Sequence, residues 1–312
     1  VVENFRPGVL EDWGLDPGSL RKDNPNLIYA RISGYGQTGP YSEKAGFASA
    51  CEAISGFRYV NGYPGEAPVR PNLSIGDTVS GLHAVIGILM ALRSRDEAIK
   101  DNKEGGQVVD VALYESMFNL LEAVIPEYDG AGVVRQPSGT TVTGIVPTNT
   151  YKCADDKFIV IGGNGDSIFM RLMKAVGRVD MAEDAKYATN ASRVVHEAEL
   201  DQVLSGWCET QSLQEAMSIL EANRVPCGPV YSAEEMIKDE HFNYRGLFEQ
   251  VEINGEALKI PAIMPKLAGT PGGTEWPGPK VASHTDEILA GLGMDSSAIA
   301  ALKSSGVVAD SA

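Results

Sequence analysis

The alternation of apolar strand patterns with one long helical pattern limits this chain to a few architectures. Residues 27–33, in "NLIYARISGYGQTGP", and residues 107–113, "QVVDVAL", are short apolar runs typical of buried strands. Between them, over residues 78–95, apolar side chains recur at helical spacing, namely Val79, Leu82, Val85, Ile86, Leu89 and Leu92. A strand, a helix and a second strand in this order are most simply joined as a parallel pair. The sequence therefore predicts an α/β fold, with a ligand site in the Gly/Pro-rich loop after the first strand.

The pattern changes in the second part of the chain. Residues 128–147 form a long polar and glycine-rich connection, and such connections are commonly functional or interdomain. Beyond it, a hairpin pattern around Asp155-Asp156 and several amphipathic helical patterns predict a smaller α+β unit. We therefore expect a large domain to begin with 1–127, a small domain over 140–245 and a C-terminal segment over 246–312.

Charge and cysteine usage exclude several classes of protein. The formal net charge of −16 argues against a nucleic-acid partner, because a phosphate backbone requires a basic face. The four cysteines lack the spacing of zinc ligands, so we predict no metal site. No apolar stretch approaches the roughly 20 residues of a membrane span, so we expect no membrane partner and a cytoplasmic protein.

The chain begins at "VVENFRPG" without an initiator Met, so we expect a missing preceding segment; a lost leader could have directed the protein to mitochondria.

Asp77 precedes the long helical pattern, in "SIGDTVSGLHAVIGILMAL", with no histidine or lysine beside it. One interpretation is a helix N-cap, because an aspartate carboxylate there accepts a hydrogen bond from the first turn. The other is a nucleophile, since the positive end of a helix favours the ionised carboxylate, which needs no base to attack an activated acyl group. Gly76 and Gly81 favour the second interpretation, because they leave room for a ligand to approach closely.

Several motifs of the chain resemble, in order, those of the family III CoA-transferases, the CaiB/BaiF-like group that includes formyl-CoA transferase and carnitine CoA-transferase. They are "ENFRPGVLEDWGL", "LIYARISGYGQTGP", "IGDTVSGLHAVIGILMAL", "GQVVDVALYESM", "VPCGPV" and "HTDEILAGLG". The resemblance implies a Rossmann-like, CoA-binding large domain to which the C-terminal segment returns, a smaller α+β second domain, and an interlaced homodimer. It also implies transfer of coenzyme A between an acyl-CoA and a small carboxylic acid, for which we favour a dicarboxylic acid.

For Asp77 the resemblance implies the role of catalytic nucleophile. The family's aspartate attacks the acyl-CoA thioester, gives an aspartyl anhydride and then an aspartyl-CoA thioester, and passes the CoA to a new acid. This chemistry requires no metal and no permanently bound cofactor, since the coenzyme A thioester is itself the substrate. Which acids serve as donor and acceptor is not encoded in these motifs.

Further site residues follow from the same resemblance. Asn4, Phe5 and Arg6 match a loop that contacts CoA, and an arginine beside a strand end can pair with a phosphate. Lys44 and Phe47 fall near a lysine and an aromatic residue that line the CoA channel.

The segment "SGTTVTGIVP" corresponds to the family's glycine-rich loop, which covers the aspartate and supplies backbone donors to an oxyanion. Gly144 in this segment is therefore a predicted catalytic residue. The run of glycines is thinned here to Gly139 and Gly144, so an ordinary linker stays an alternative.

Two alternative functions stay open. The related α-methylacyl-CoA racemases carry a histidine base in a "GHD" segment where this chain has Gly46-Phe47-Ala48, so proton transfer at an α-carbon lacks that partner. The other alternative is a non-catalytic CoA-binding subunit.

Overall fold

A parallel three-stranded sheet organises the first part of the chain, in a computed structural model that describes residues 1–253 and 255–310. Its strands, in spatial order, are β1 (Val2–Glu3), β2 (Ile28–Ser33) and β3 (Gln107–Ala112). Both neighbours of β2 pair with it in parallel, with Glu3 opposite Arg31 and Ile32 opposite Val111. The predicted strands and their parallel pairing are confirmed.

The helices of this part fill the connections between the strands. They are α1 (Val9–Asp12), α2 (Pro17–Asp23), α3 (Ala48–Ile54), α4 (Ile75–Lys100), α5 (Leu113–Phe118) and α6 (Val124–Ala131). The chain after β3 forms two helices, α5 and α6, and Glu122 between them adopts a φ of 48°. That angle is outside the α-helical region, so one continuous helix cannot pass through this residue.

Helix α4 packs along the parallel sheet and runs opposite to its strands. Because α4 leads from the loops beyond β2 to the start of β3, its C-terminus points toward the amino ends of the parallel strands. The contact is close at its middle, where a Cβ on Gly87 would lie 2.7 Å from Cγ1 of Val109. The first turn of α4 therefore lies toward the carboxyl ends of the strands.

An antiparallel sheet with its own helices follows residue 147. Its strands are β4 (Thr148–Lys152), β5 (Phe158–Gly162) and β6 (Cys227–Pro229), and β5 lies in the centre. The helices are α7 (Asp166–Ala175), α8 (Val179–Glu183), α9 (Asn190–Val195), α10 (Glu197–Cys208) and α11 (Leu213–Ala222), with a 3-10 helix at Ala185–Tyr187. Buried Ile159, Ile161, Leu172 and Leu204 belong to one hydrophobic core. The hairpin predicted around Asp155-Asp156 is confirmed.

By internal contacts the chain divides into two compact units, Val1–Pro229 and Val230–Ala312. Both sheets described above belong to the first unit. The second unit contains a hairpin of β7 (Phe248–Ile253) and β8 (Glu256–Pro261), together with α12 (Ala233–Lys238), α13 (Glu240–Tyr244), α14 (Thr285–Gly291) and α15 (Ser296–Ser304). The predicted domain ranges 1–127, 140–245 and 246–312 stay a prediction.

Helix α4 corrects the expectation about apolar stretches. It is 26 residues long with a mean hydropathy of 1.6 in its most apolar part, enough to cross a membrane by length and composition. Core helices of soluble proteins meet the same criteria, so these properties assign no membrane location. Much of its apolar surface is exposed in the single chain, including Leu82, Val85, Ile86, Leu89 and Met90.

The two glycines of α4 predict opposite effects of substitution by alanine. Gly87→Ala should lower the free energy of unfolding by about 1–3 kcal/mol, because the new methyl group overlaps Val109. Gly81→Ala should raise it by up to about 1 kcal/mol, since a Cβ there meets no atom within 4 Å and alanine is the better helix former. Urea unfolding followed by circular dichroism measures both. If both variants changed the free energy of unfolding equally and in the same direction, the packing of α4 on β3 would be contradicted.

Candidate active site

Asp77 is the third residue of α4, which corrects its interpretation as the N-cap. Ser74 occupies the N-cap position, and Asp77 is the acidic residue of the first turn. Its side chain is exposed, and no residue of the described chain forms a hydrogen bond or an ion pair with its carboxylate. The helix N-terminus favours the anion at this position. Asp77 is thus an accessible carboxylate without a partner in the described chain.

The sheet topology brings the candidate residues to one edge. β1, β2 and β3 are parallel, so the loops that follow β1 and β2 leave from the same edge as the carboxyl end of β3. The loop after β1 carries Asn4 to Arg6, and the loop after β2 carries Lys44 and Phe47. Since α4 runs opposite to the strands, Asp77 lies toward this edge too. Such crevices beyond the carboxyl ends of strands are the usual ligand sites of open α/β sheets.

Phe47 is held close to the start of α4 because the residues on both sides of it, Gly46 and Ala48, are closely packed. Gly34 and Gly46 touch, since a Cβ on Gly34 would lie 2.7 Å from the Gly46 Cα. One residue on, Phe47 is the N-cap of α3 in an extended conformation, and its ring is 66% exposed. The next residue, Ala48, places its Cβ 3.4 Å from a Cβ built on Gly76. Ala48 and Gly76 are therefore packed closely together. Phe47 precedes Ala48 and Asp77 follows Gly76 in the sequence, so these two predicted residues lie in the same region.

An ion pair between buried Glu52 and partly exposed Arg58, next to the first turn of α4, was not predicted. Glu52 of α3 is fully buried, and its Oε1 accepts a hydrogen bond from the Gly76 N–H at 3.3 Å. Its Oε2 binds Nη2 of Arg58 at 2.9 Å, and Arg58 also donates to Ser49 Oγ. Charged side chains are rarely buried without a partner. The available signal was the placement of Glu52 within the small, apolar run "ASACEAIS" with an arginine six residues later.

The loop after β1 places its three candidate residues at the surface. Asn4, Phe5 and Arg6 are all exposed. The Phe5 ring packs edge-on against Trp13 of the turn after α1, with ring centroids 5.3 Å apart. Their predicted contacts with CoA stay a prediction, and their exposure leaves them accessible to a ligand.

Lys44 lies in the loop after β2 and is already engaged within the chain. Its Nζ lies 3.4 Å from the centroid of the Tyr41 ring, a close cation–π contact. The lysine is exposed, and this contact fixes the end of its side chain beside an aromatic face. Binding of a CoA phosphate by Lys44 stays a prediction.

Gly144 lies in a turn that is held by α9. Asn190 donates from Nδ2 to the Gly144 carbonyl at 2.8 Å and accepts from the Val146 N–H at 3.1 Å. At the other end of this segment, the Gly139 N–H donates to the Gly62 carbonyl at 2.8 Å. A Cβ on Gly144 would meet no atom within 4 Å, so the space beside this glycine is open. The predicted catalytic role of this segment stays a prediction.

The nearby thiol is not a competing nucleophile. Cys51 of α3 is buried, and its Sγ lies 3.3 Å from the Gly34 carbonyl oxygen. Burial raises the pKa of this thiol, and the charge of Asp77 adds to the rise. The thiol is therefore protonated at neutral pH, whereas only a thiolate is strongly nucleophilic. In the described part of the chain, no three His, Cys, Asp or Glu side chains are grouped as metal ligands.

Comparison with known proteins identifies related sequences and structures. The family model for CoA-transferase family III matches residues 1–285. The chain is 41% identical to the succinyl-CoA–D-citramalate CoA-transferase of Chloroflexus aurantiacus, over 94% of this chain and 72% of that protein. It is 34% identical to the succinate–glutarate CoA-transferase of Agrobacterium fabrum, over 94% and 72%. A crystal structure of a CAIB/BAIF family protein from Brucella suis has a TM-score of 0.78 at 29% identity, covering 94% of this chain and 75% of that one.

The Glu52 contacts predict a large loss of stability when the carboxylate is removed. Glu52→Ala leaves the Gly76 N–H and the Arg58 guanidinium without their acceptor, so the free energy of unfolding should fall by about 3 kcal/mol. Glu66→Ala is the matched control, because Glu66 is exposed; it should change stability by less than about 0.5 kcal/mol. Urea unfolding measures both variants. A Glu52→Ala protein as stable as the control would contradict a stabilising role for this ion pair.

Proposed function

This chain belongs to CoA-transferase family III, and we propose that it transfers coenzyme A from an acyl-CoA to a small dicarboxylic acid through Asp77. The predicted family and the prediction of an enzyme are confirmed by the matched family and by relatives that are named CoA-transferases. The mixed α/β fold agrees with the CAIB/BAIF family structure. The dicarboxylic acid is proposed because the two relatives above are named for citramalate and for succinate and glutarate.

The proposed reaction proceeds by four substitutions at carbonyl carbons. A carboxylate oxygen of Asp77 attacks the thioester carbon of the donor and expels the CoA thiolate, which leaves a mixed anhydride. The thiolate then attacks the Asp77 acyl carbon and releases the donor acid as its carboxylate. The acceptor carboxylate attacks the resulting aspartyl-CoA thioester, and the thiolate finally attacks the acceptor acyl carbon. Asp77 is regenerated as the carboxylate, and no net proton is consumed.

One observation carries this proposal, namely the accessible carboxylate of Asp77 at the start of α4. It has no hydrogen-bond or ion-pair partner in the described chain, whereas several other acidic side chains of the first unit are bound by arginines. A nucleophile must keep its lone pairs available and its anion stable at neutral pH. Exposure supplies the first condition, and the position of Asp77 in the first turn of α4 places its carboxylate near the positive end of the helix dipole.

Other parts of the site belong to the same proposal. We assign CoA binding to Asn4, Phe5, Arg6, Lys44 and Phe47, which follow the carboxyl ends of β1 and β2. Arginine and lysine suit the phosphates of CoA.

For the segment around Gly144 we propose cover of Asp77 and backbone donors for the oxyanion. The oxyanion is the negatively charged oxygen that develops at each attacked carbonyl, and backbone N–H groups stabilise it well. Coenzyme A enters this proposal as part of the substrate, with no permanently bound cofactor.

The assembly is proposed to be an interlaced homodimer with a Rossmann-like large domain, located in the cytoplasm. Support comes from α4, which exposes Leu82, Leu89 and Met90, each more than half exposed. A contiguous apolar helix face of this kind is typical of an interface.

Substitution of Asp77 by its neutral amide tests the central role. Asp77→Asn should lower kcat for CoA transfer by at least about a thousandfold, since the amide oxygen is a poor nucleophile. Asp96→Asn is the matched control, because Asp96 is an exposed aspartate near the other end of α4, and it should retain full activity. The rate of acceptor acyl-CoA formation from succinyl-CoA and a panel of dicarboxylic acids is the measurement.

Chemical trapping separates the alternatives. Incubation of the enzyme with acyl-CoA and hydroxylamine should convert Asp77 to a hydroxamate, which peptide mass spectrometry locates. Deuterium exchange at the α-carbon of the acyl-CoA without trapping would instead support a racemase. Binding of CoA with neither reaction would leave a binding subunit, and full activity of Asp77→Asn would refute the proposed nucleophile.

A further inference from the structure

A single buried arginine of the parallel sheet binds two carboxylates from different elements. Arg31 of β2 is 6% exposed. Its Nε lies 2.6 Å from Oε1 of Glu3, its register partner on β1. Its Nη1 and Nη2 bind the two carboxylate oxygens of Glu11 on α1 at 2.7 Å and 3.2 Å. The planar guanidinium group matches the positions of these carboxylate oxygens, whereas an ammonium group would not.

Both carboxylates also hold the backbone of the loop between β1 and α1. Glu3 accepts from the Phe5 N–H through Oε2 at 2.8 Å. Glu11 accepts from the Gly8 N–H through Oε2 at 3.1 Å. These two N–H groups flank Arg6. The Arg31 guanidinium is therefore connected to both ends of the loop, through Glu3 at the Phe5 N–H and through Glu11 at the Gly8 N–H.

The other support of the loop consists of a backbone turn and one ring contact. The Val9 N–H donates to the Arg6 carbonyl at 3.2 Å, and the Phe5 ring packs against Trp13, while Asn4, Phe5 and Arg6 are exposed. Gly8 adopts a φ of 94°, which favours glycine and turns the chain sharply into α1. A loop of this kind would otherwise sample several conformations, and ordering it on binding would weaken the affinity for a ligand.

We propose that Arg31, through Glu3 and Glu11, is a positioning residue that fixes the loop Asn4–Pro7 in the conformation that binds acyl-CoA. This inference rests on the proposed function, since it takes the loop as a CoA contact. The reason is preorganisation: Arg6 is presented to a phosphate beyond the carboxyl end of β1 before the ligand arrives. None of the three network residues needs to touch the substrate.

The contact between Arg31 and Glu11 favours the charged form of both side chains. Hydrogen bonds from Arg31 hold the pKa of the Glu11 carboxyl below its usual range. The same two carboxylates outweigh the opposing effect of burial and raise the pKa of Arg31. Arg31 and Glu11 are therefore both ionised, and the hydrogen bonds between them are of the stronger, charge-assisted kind.

The test is the effect of Glu11→Ala on the kinetic constants of the full chain. The KM for acyl-CoA should rise about three- to tenfold, while kcat and the KM for the acceptor acid stay within twofold. A general loss of structure would not produce this split. The direction is informative, because removing a negative charge near a phosphate site would by itself tighten binding of the ligand.

Three further variants complete the test. Asp23→Ala is the matched control, since it removes an exposed acid from α2; its KM for acyl-CoA should not rise. Glu11→Gln keeps an acceptor for the Gly8 N–H and should restore part of the affinity. Arg31→Lys keeps the charge but cannot bind both carboxylates in the same way, so it should raise the same KM even if Glu11→Ala fails to fold.

The outcomes distinguish this inference from the proposed function. Calorimetric titration with free CoA measures binding independently of turnover. If the wild-type protein neither binds CoA nor transfers it, the proposed function and this inference both fail. A different result is possible when the wild-type protein is active. If Glu11→Ala, or Arg31→Lys when Glu11→Ala does not fold, has the same KM for acyl-CoA as the control Asp23→Ala, the positioning role of Arg31 is refuted. The proposed function is unaffected by that result.

Discussion

The parallel pairing of β2 with both of its neighbours decides where every candidate group at the sheet edge lies. Because β1, β2 and β3 run in one direction, the loops after β1 and β2 leave from one edge. Because α4 must return to the amino end of β3, its first turn lies toward the same edge, and with it Asp77. Had either neighbour of β2 been antiparallel, these groups would lie at opposite ends of the sheet. The direction of the strands therefore determines whether the candidate groups can lie at one edge of the sheet.

Two groups of ion pairs connect this scaffold to the backbone at the edge. Glu52 and Arg58 hold the first turn of α4 through the Gly76 N–H, and Arg31 holds the loop after β1 through Glu3 and Glu11. Burial of charge costs free energy that the pair itself recovers only when the geometry is good. In both cases the carboxylate also satisfies a backbone N–H, a strong donor that is costly to leave unpaired. These pairs fix the position of the backbone, and removal of one partner is costly because it leaves the other charge and the N–H group without their acceptor.

Much of the local structure near the site was predictable because it depends on neighbouring residues. Apolar runs predicted β2 and β3, and apolar spacing predicted α4. The N-cap assignment was wrong because both Ser74 and Asp77 suit that position, and the helix begins at the earlier one. Local patterns do not distinguish two good caps that lie three residues apart.

The long-range contacts were not predictable for a different reason. Glu3 and Arg31 are 28 residues apart in sequence and meet only through the register of the sheet. Glu52 reaches the Gly76 N–H, 24 residues away, only through the packing of α3 on α4, whereas its ion pair with Arg58 is local. No periodicity within one element carries that information. A charged residue in an otherwise apolar segment indicates burial with a partner, but it does not say which partner.

The exposure of Asp77 imposes a requirement on the rest of the proposed mechanism. A mixed anhydride reacts readily with water, and closing an active site is the general means of preventing such hydrolysis. The segment with Gly139 and Gly144 is suited to this task by its anchors, since it is bound to the Gly62 carbonyl at one end and to Asn190 at the other. Between these anchors, Thr140 Oγ1 donates to Oδ1 of Asn149 on β4, so movement of the segment must break this hydrogen bond. In the proposed mechanism, Asp77 must therefore be open to receive the thioester and covered while the anhydride exists.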